Sequence, residues 1–310
     1  MKPLKLFKTS IKLMGNNFEF TIVAEKEEWA KTTTDAAINE IKRIEILLTS
    51  YNTSSETYQI NAHAGISPIR VSKETYRLIE RAIKISDLTQ GAFDITYGSI
   101  DKSLYNFDIN MKSLPDKETA EKMVRLINYK NIILDEENTS IFLKEKGMRI
   151  GFGGIGKGYA AERAKNILKQ MGVESGIVNA AGDLTAWGHQ PNGSDWTIGI
   201  ADPNLKGEIF SFINVTGLAV ATSGNYEKYI LIAGKKYSHT IDPRTGLPIT
   251  GIKSVTIITT NAEIADAMAT PVTIMGVKAG LGLINQIKDM EAIIVDDNNK
   301  VFTSDNIHLN

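Results

Sequence analysis

Residues 18–24 alternate between apolar and polar side chains with the two-residue period of a half-buried strand. Over residues 27–48 the period changes. Ile38, Ile41, Ile44 and Leu48 recur at helical spacing and predict a long amphipathic helix. Ser72 stands where an N-cap is needed for a helix running through Ile79, Ala82 and Ile83. Another helix is predicted near Pro115, since proline suits a first helical turn. Residues 130–143 read as a hairpin with Glu137-Asn138 near its turn, and residues 159–168 as a helix. Beyond residue 196 short β-like runs follow one another, at 196–200, 209–215, 219–222, 229–233 and 254–259, with one helix over about 262–285. Consecutive strands without helices between them favour antiparallel pairing. The expected fold is α+β, with mixed, mainly antiparallel sheets and packed helices, and residues 1–310 forming a single domain. No internal repeat or low-complexity linker divides the chain.

Composition narrows the function classes. Of the 310 residues, 42% are hydrophobic and 23% charged, the balance of a globular chain with a sizeable core. Thirty-five basic and 36 acidic residues leave a formal net charge of -1, so no electrostatic footprint for nucleic acid or an anionic membrane is expected. The absence of cysteine excludes disulfides, thiolate metal sites, cysteine nucleophiles and a lipid-modified cysteine. The basic N-terminus lacks the unbroken apolar run of roughly 7–15 residues of a signal peptide and the about 20 of a spanning helix. No transmembrane segment is expected, and on these features the chain reads as soluble and cytoplasmic.

Three segments carry chemistry. Gly151-Phe-Gly153-Gly154-Ile-Gly156-Lys157-Gly158 precedes a helix, where backbone N–H groups can approach an anion and the helix dipole favours it. The spacing satisfies G-x-G-x-x-G, but no acid-terminated second strand follows at the distance a dinucleotide-binding βαβ unit requires. It also fits most of a phosphate-binding P-loop, except that Gly158 stands where a metal-binding Ser or Thr belongs. A glycine turn that packs a helix onto a sheet is the competing reading. In the second segment Asp266 and Thr270, four apart on a predicted helix, share a face and offer hard oxygen ligands of the kind Mg²⁺ takes. The surrounding alanines suit a close-packing face equally well. Pro271 is expected to remove the bond to the Ala267 carbonyl and kink the helix. The third segment, residues 238–248, is dense in turn formers and holds His239, which could act as a base or serve only a tight turn. With His63, His189 and His308 it makes up the histidines, and no pair has zinc-protease spacing.

Taken in order, further motifs join these: Leu13-Met14-Gly15; Ser50-Tyr51 with Ser55-Glu56 and Asn61; Thr89-x-Gly91-Ala-Phe-Asp94-x-Thr96; Asn179-Ala-Ala-Gly182-Asp183; Thr222-Ser-Gly224-Asn-Tyr226; and Met275-Gly276 after Ala265-Asp266-Ala-Met-Ala-Thr270. Nearly end to end, the chain resembles the FAD:protein FMN transferases, the ApbE family. The resemblance implies Mg²⁺-dependent transfer of FMN from FAD to a Ser or Thr hydroxyl of an acceptor flavoprotein, with release of AMP. Hydrolysis of FAD to FMN and AMP, or flavin binding without chemistry, are the alternatives. It implies that Tyr51 stacks on the isoalloxazine and that Met14 lies near the flavin. It further implies that Ala92, Phe93 and Asp94 line the nucleotide pocket and that Lys157 and Ile241 contact FAD. The metal is implied between the Gly154 carbonyl, Asp266 and Thr270, and His239 is implied to assist the acceptor hydroxyl. Many members carry Asp where Gly151 stands, some carry a second carboxylate where Ala269 stands, and members commonly act outside the cytoplasmic membrane. Asp183 is given no role beyond its motif, and a turn residue is the competing reading for it, as a core or rim aromatic is for Tyr51.

Overall fold

The structure is a computed structural model that describes residues 3–104, 112–201, 209–224 and 229–307. The N-terminal half contains β1 (Lys5–Leu13), β2 (Asn16–Ala24), α1 (Glu27–Leu48), α2 (Glu56–Ala62), β3 (Ile69–Arg70), α3 (Lys73–Leu88), α4 (Lys117–Val124), β4 (Ile132–Asp135) and β5 (Ser140–Leu143). It continues with α5 (Gly156–Gln170), β6 (Gly176–Ala180), β7 (Asp183–Trp187), β8 (Thr197–Ala201), β9 (Ile209–Asn214), β10 (Ala219–Gly224), β11 (Tyr229–Ile232) and β12 (Lys235–Ser238). The chain closes with β13 (Ile252–Thr259), α6 (Ala262–Ile284), β14 (Met290–Asp296) and β15 (Val301–Thr303). Single-turn 3₁₀ helices occupy Ile95–Ser99 and Tyr129–Asn131.

An antiparallel sheet of eight strands, ordered β1-β2-β6-β7-β10-β13-β14-β15, forms the frame. Its two faces follow from strand alternation. Ala219, Ala221, Val255, Ile257, Ala292 and Ile294 join the main core beneath α1, α5 and α6. Leu184, Val220, Ile258 and Ile293 point the other way, onto Trp196 and Val215 beside the β8–β9 hairpin. The edge strand β1 is mostly exposed and carries Lys5, Lys8 and Lys12, charges that oppose edge-to-edge pairing with another chain.

α1 spans the predicted 27–48, and Ser72 caps α3 by accepting the Thr75 N–H at 3.2 Å. The 130–143 hairpin is present as β4–β5. Two expectations are corrected. Pro115 is not in a first turn: Asp116 caps α4 by accepting the Thr119 N–H at 2.8 Å, so the helix begins after the acid. Nor does the expected kink fall at Pro271, although proline leaves the Ala267 carbonyl without its helical donor. The backbone stays helical there, because residues 265–269 and 271–273 are buried against the sheet and α5. The interruption falls at Gly276 instead, whose φ of 77° glycine adopts without steric penalty. α6 is also long and apolar enough to cross a membrane by length and composition, with a mean hydropathy of 1.5. Its first half is buried against β10, β13, β14 and α5, as in a core helix.

The glycine-rich segment is anchored before it begins. Asn61 Nδ2 donates to the Ile150 carbonyl at 3.0 Å, and its Oδ1 accepts the Ile150 N–H at 2.7 Å, so one amide side chain pairs with the backbone as a neighbouring strand would. The next residue, Gly151, donates its N–H to the Ile95 carbonyl at 3.0 Å. Replacing Asn61 with Ala orphans both Ile150 groups. Urea unfolding should show a loss of about 1–3 kcal/mol, and a change within the ±0.5 kcal/mol of an ordinary surface substitution would refute the anchoring role.

Candidate functional site

Two turns at one end of the sheet and the N-terminus of α5 converge. Met14-Gly15 joins β1 to β2 with both residues at positive φ, 49° and 75°, the geometry of a two-residue hairpin turn. Ala181-Gly182 joins β6 to β7 in the same way, at 55° and 102°, and Asn179 Oδ1 holds the turn through the Gly182 N–H at 2.8 Å. Asp183 thus opens β7 at the rim, on the strand that pairs with β10.

α5 has no local side-chain cap. Its third residue, Gly158, instead donates its N–H to Asp266 Oδ2 of α6 at 2.9 Å, a cap supplied from 108 residues away. Only glycine allows the approach. A Cβ at Gly158 would stand 2.1 Å from the Ala262 carbonyl oxygen and 2.6 Å from the Asp266 Cβ. This explains why the segment fails as a P-loop: the position that would carry a hydroxyl is filled by the neighbouring helix.

Lys157 completes the cluster. Its ammonium is hydrogen-bonded to Asp183 Oδ2 and lies 3.4 Å from Asp266 Oδ1. Both carboxylates are buried. Burial and then the Asp266 charge push the Asp183 carboxyl up from 3.8 to about 6, against the opposing pull of Lys157. Burial alone would lower the Lys157 ammonium, but Asp266 and Asp183 outweigh it and hold its pKa above the ordinary lysine value. The three groups leave one negative charge in excess at a helix N-terminus, whose dipole favours it.

The predicted residues are distributed as follows. Met14 flanks the glycine segment, its Cε 3.7 Å from where a Gly156 Cβ would stand, and the Phe93 ring is 3.4 Å from the equivalent point on Gly154. Gly154, Lys157 and Asp266 therefore share one locus with Met14 and Phe93. Thr270 follows Asp266 by one turn of α6 and is half-buried. Ala92 and Asp94 are buried and shape the loop. Asp94 accepts from the Thr96 N–H at 2.8 Å, the Thr96 hydroxyl at 2.6 Å and the Tyr129 N–H at 3.0 Å, so it caps the following 3₁₀ turn. With Gly91, Tyr129 and Arg244 it borders a cavity of about 390 Å³. Ile241 is buried against Met123 and Val124. Tyr51 is 92% exposed, and His239 is exposed at the head of the 239–248 loop. Asn225 and Tyr226 of the Thr222 motif, and His308, lie outside the described residues.

Asp183 stood in a motif but was assigned no role in the site. The signal lay in its motif, since a two-residue hairpin turn ending in an acid sets that acid at a sheet rim. A larger cavity, about 840 Å³, lies at the opposite end of the sheet beside Trp29, Ser175 and His189. It contains none of the predicted residues, so convergence of charge, not volume, defines the site.

Among the described residues no three His, Cys, Asp or Glu side chains converge as a metal centre. A hard cation here would have to rely on one or two carboxylates with hydroxyl, carbonyl and phosphate oxygens, as Mg²⁺ does. The Asp266 carboxylate and the uncompensated negative charge are of that kind, and the Thr270 hydroxyl stands one turn further along α6.

The fold and site together define an antiparallel α+β protein with a glycine-flanked, carboxylate-capped helix terminus suited to a cation and an anionic ligand. The ApbE family model matches residues 14–294. A FAD:protein FMN transferase of Klebsiella pneumoniae is 31% identical over 306 residues, covering 98% of this chain and 93% of its own. One from Treponema pallidum is 27% identical over 288 residues, covering 87% and 79%. The crystal structure of the ApbE protein from Thermotoga maritima superimposes with a TM-score of 0.85 at 31% identity over 97% of both chains. The Pseudomonas stutzeri flavinyl transferase ApbE shares the fold at a TM-score of 0.85 and 24% identity, over 98% of this chain and 96% of its own. The chain belongs to the ApbE family.

Two outcomes test this geometry. Gly158→Ala forces α5 and α6 apart, and denaturant titration should show a loss of about 1–3 kcal/mol, as for other overpacked interiors. Between pH 3.8 and about 6 the folded protein keeps a proton on Asp183 that the unfolded chain has released, so this group's contribution to stability is lost as pH rises through that window. Asp183→Asn should flatten that part of the stability-versus-pH curve; an unchanged slope would contradict it.

Proposed function

We propose that this protein transfers FMN from FAD to a hydroxyl of an acceptor protein and releases AMP. The observation that carries the reading is the meeting of Lys157, Asp183 and Asp266 at the glycine-flanked terminus of α5, in a chain 31% identical along nearly its whole length to a FAD:protein FMN transferase. Residues 1–310 act as one domain in this reading. In the chemical step the acceptor oxygen, from a Ser or Thr, bonds to the phosphorus of the FMN half. The bond from that phosphorus to the bridging oxygen breaks, the electron pair leaves on AMP, and the hydroxyl proton passes to a base.

The chain's own groups have distinct tasks. The Lys157 ammonium and the N-terminal dipole of α5 favour the pyrophosphate at the rim. Tyr51, free of packing, offers an aromatic face on which the isoalloxazine can stack. Met14 and Phe93 supply apolar walls beside the glycines, and Ala92, Asp94 and Ile241 hold the surrounding loops against one another. Asp94 serves through its turn, since its carboxylate is already engaged by three donors. His239, exposed on its loop, is assigned to accept the acceptor proton. Mg²⁺, held by Asp266, Thr270 and the Gly154 carbonyl, would neutralise phosphate charge and polarise the phosphorus.

Incubation with FAD, Mg²⁺ and an acceptor flavoprotein should yield an acceptor that stays fluorescent after denaturing electrophoresis, with AMP released in equal amount. Asp266→Ala should reduce labelling by a factor on the order of 100 or more, the scale at which removing a catalytic electrostatic contact acts. AMP released at the same rate with and without acceptor, leaving the acceptor dark, would show hydrolysis instead.

A further inference from the structure

Among the charges at the site, Asp266 is held by a backbone donor, whereas the ammonium sits at the end of a flexible stem between the two carboxylates. Asp266 is held by the Gly158 N–H on Oδ2, which leaves Oδ1 as the oxygen facing Lys157. Asp183 is buried at the start of β7, directly after the tight Ala181-Gly182 turn. Lys157, by contrast, ends in a four-carbon stem with a side chain 26% exposed, which gives it room to shift. Its closer contact is with Asp183, and the 3.4 Å approach to Asp266 is the looser one.

We propose that Lys157 is a built-in counter-ion for Asp266 that a divalent cation displaces, and that Asp183 retains the displaced ammonium. This rests on the assignment of the metal to Asp266 made above. A divalent ion on Asp266 reverses the local sign of charge and repels the ammonium across the short gap. Asp183 then keeps the lysine from drifting into solvent or returning to compete. Asp183 is thereby a positioning residue, acting on the cation through Lys157, and the site exchanges one positive group for another without baring Asp266.

The test uses Mn²⁺ as the probe, titrated into the full-length, FAD-free protein at one fixed neutral pH, with the free ion followed by electron paramagnetic resonance. Lys157→Met removes the competitor and should tighten Mn²⁺ binding by about tenfold, the order expected for one unit charge at such distances. Asp183→Asn frees the ammonium to settle on Asp266 and should weaken binding by about tenfold. In the Lys157→Met background the Asp183→Asn penalty should shrink to less than about threefold, because its agent is gone. Thermal unfolding checks that each variant folds, and Lys157→Gln replaces Lys157→Met if the latter does not.

Binding unchanged or weakened in the folded Lys157 variant overturns the proposal, as does an Asp183→Asn penalty of equal size in both backgrounds. A merely structural role would weaken both single variants alike. Asp266→Ala separates the two levels. If it abolishes Mn²⁺ binding while Lys157→Met changes nothing, only the counter-ion proposal falls. If it binds Mn²⁺ as the wild type does, the metal assignment fails and takes the proposal with it.

Discussion

The hydrogen bond from the Gly158 N–H to Asp266 is the contact on which the site depends. It joins two helices that are far apart in sequence, caps one of them and orients the carboxylate of the other. A buried carboxylate without such partners would be expensive to keep ionised. Here the N–H, the helix dipole and the Lys157 ammonium share that task, and the absence of a Cβ at Gly158 lets all three act at close range. The glycine segment is thus a packing device and a binding device at once, and the two readings of it do not compete.

Around that contact the sheet acts as a jig. Two tight turns and the start of α5 are brought to a common rim by antiparallel pairing, whose register fixes which side chains face the helices. Asn61, Thr89 and Asp94 fold the intervening loops by bonding to backbone groups. Thr89 Oγ1 takes the Phe93 N–H at 3.0 Å, which sets the ring beside Gly154. The motif Thr89–Thr96 is therefore mostly scaffolding, with Phe93 as its contribution to the site.

Much of this was legible in the sequence, for identifiable reasons. α1 and the 130–143 hairpin carry strong periodicity or clear turn chemistry, and both appear as expected. β6, β7, β14 and β15 did not announce themselves. β7 is buried on both faces, so no alternation marks it. β1 is broken by lysines that protect an edge. At the site, the meeting of the Asp266 helix with the segment that holds Lys157 was expected from the resemblance, whereas Asp183 stood in a motif but was given no role. Its importance arises only when β7 pairs with β10 and sets it against Lys157. Pro271 misled because local propensity was weighed without the burial that holds α6 helical through it.

The direction of β1 has a bearing on how the molecule can be mounted. Lys5 pairs with Ala24 at the rim remote from Asp183, and the strand then runs toward the Met14 turn. Anything joined ahead of Lys5, such as a lipid, a linker or a second protein, would hang from the blunt end of the sheet. The rim that carries Asp183 would then point away from the attachment.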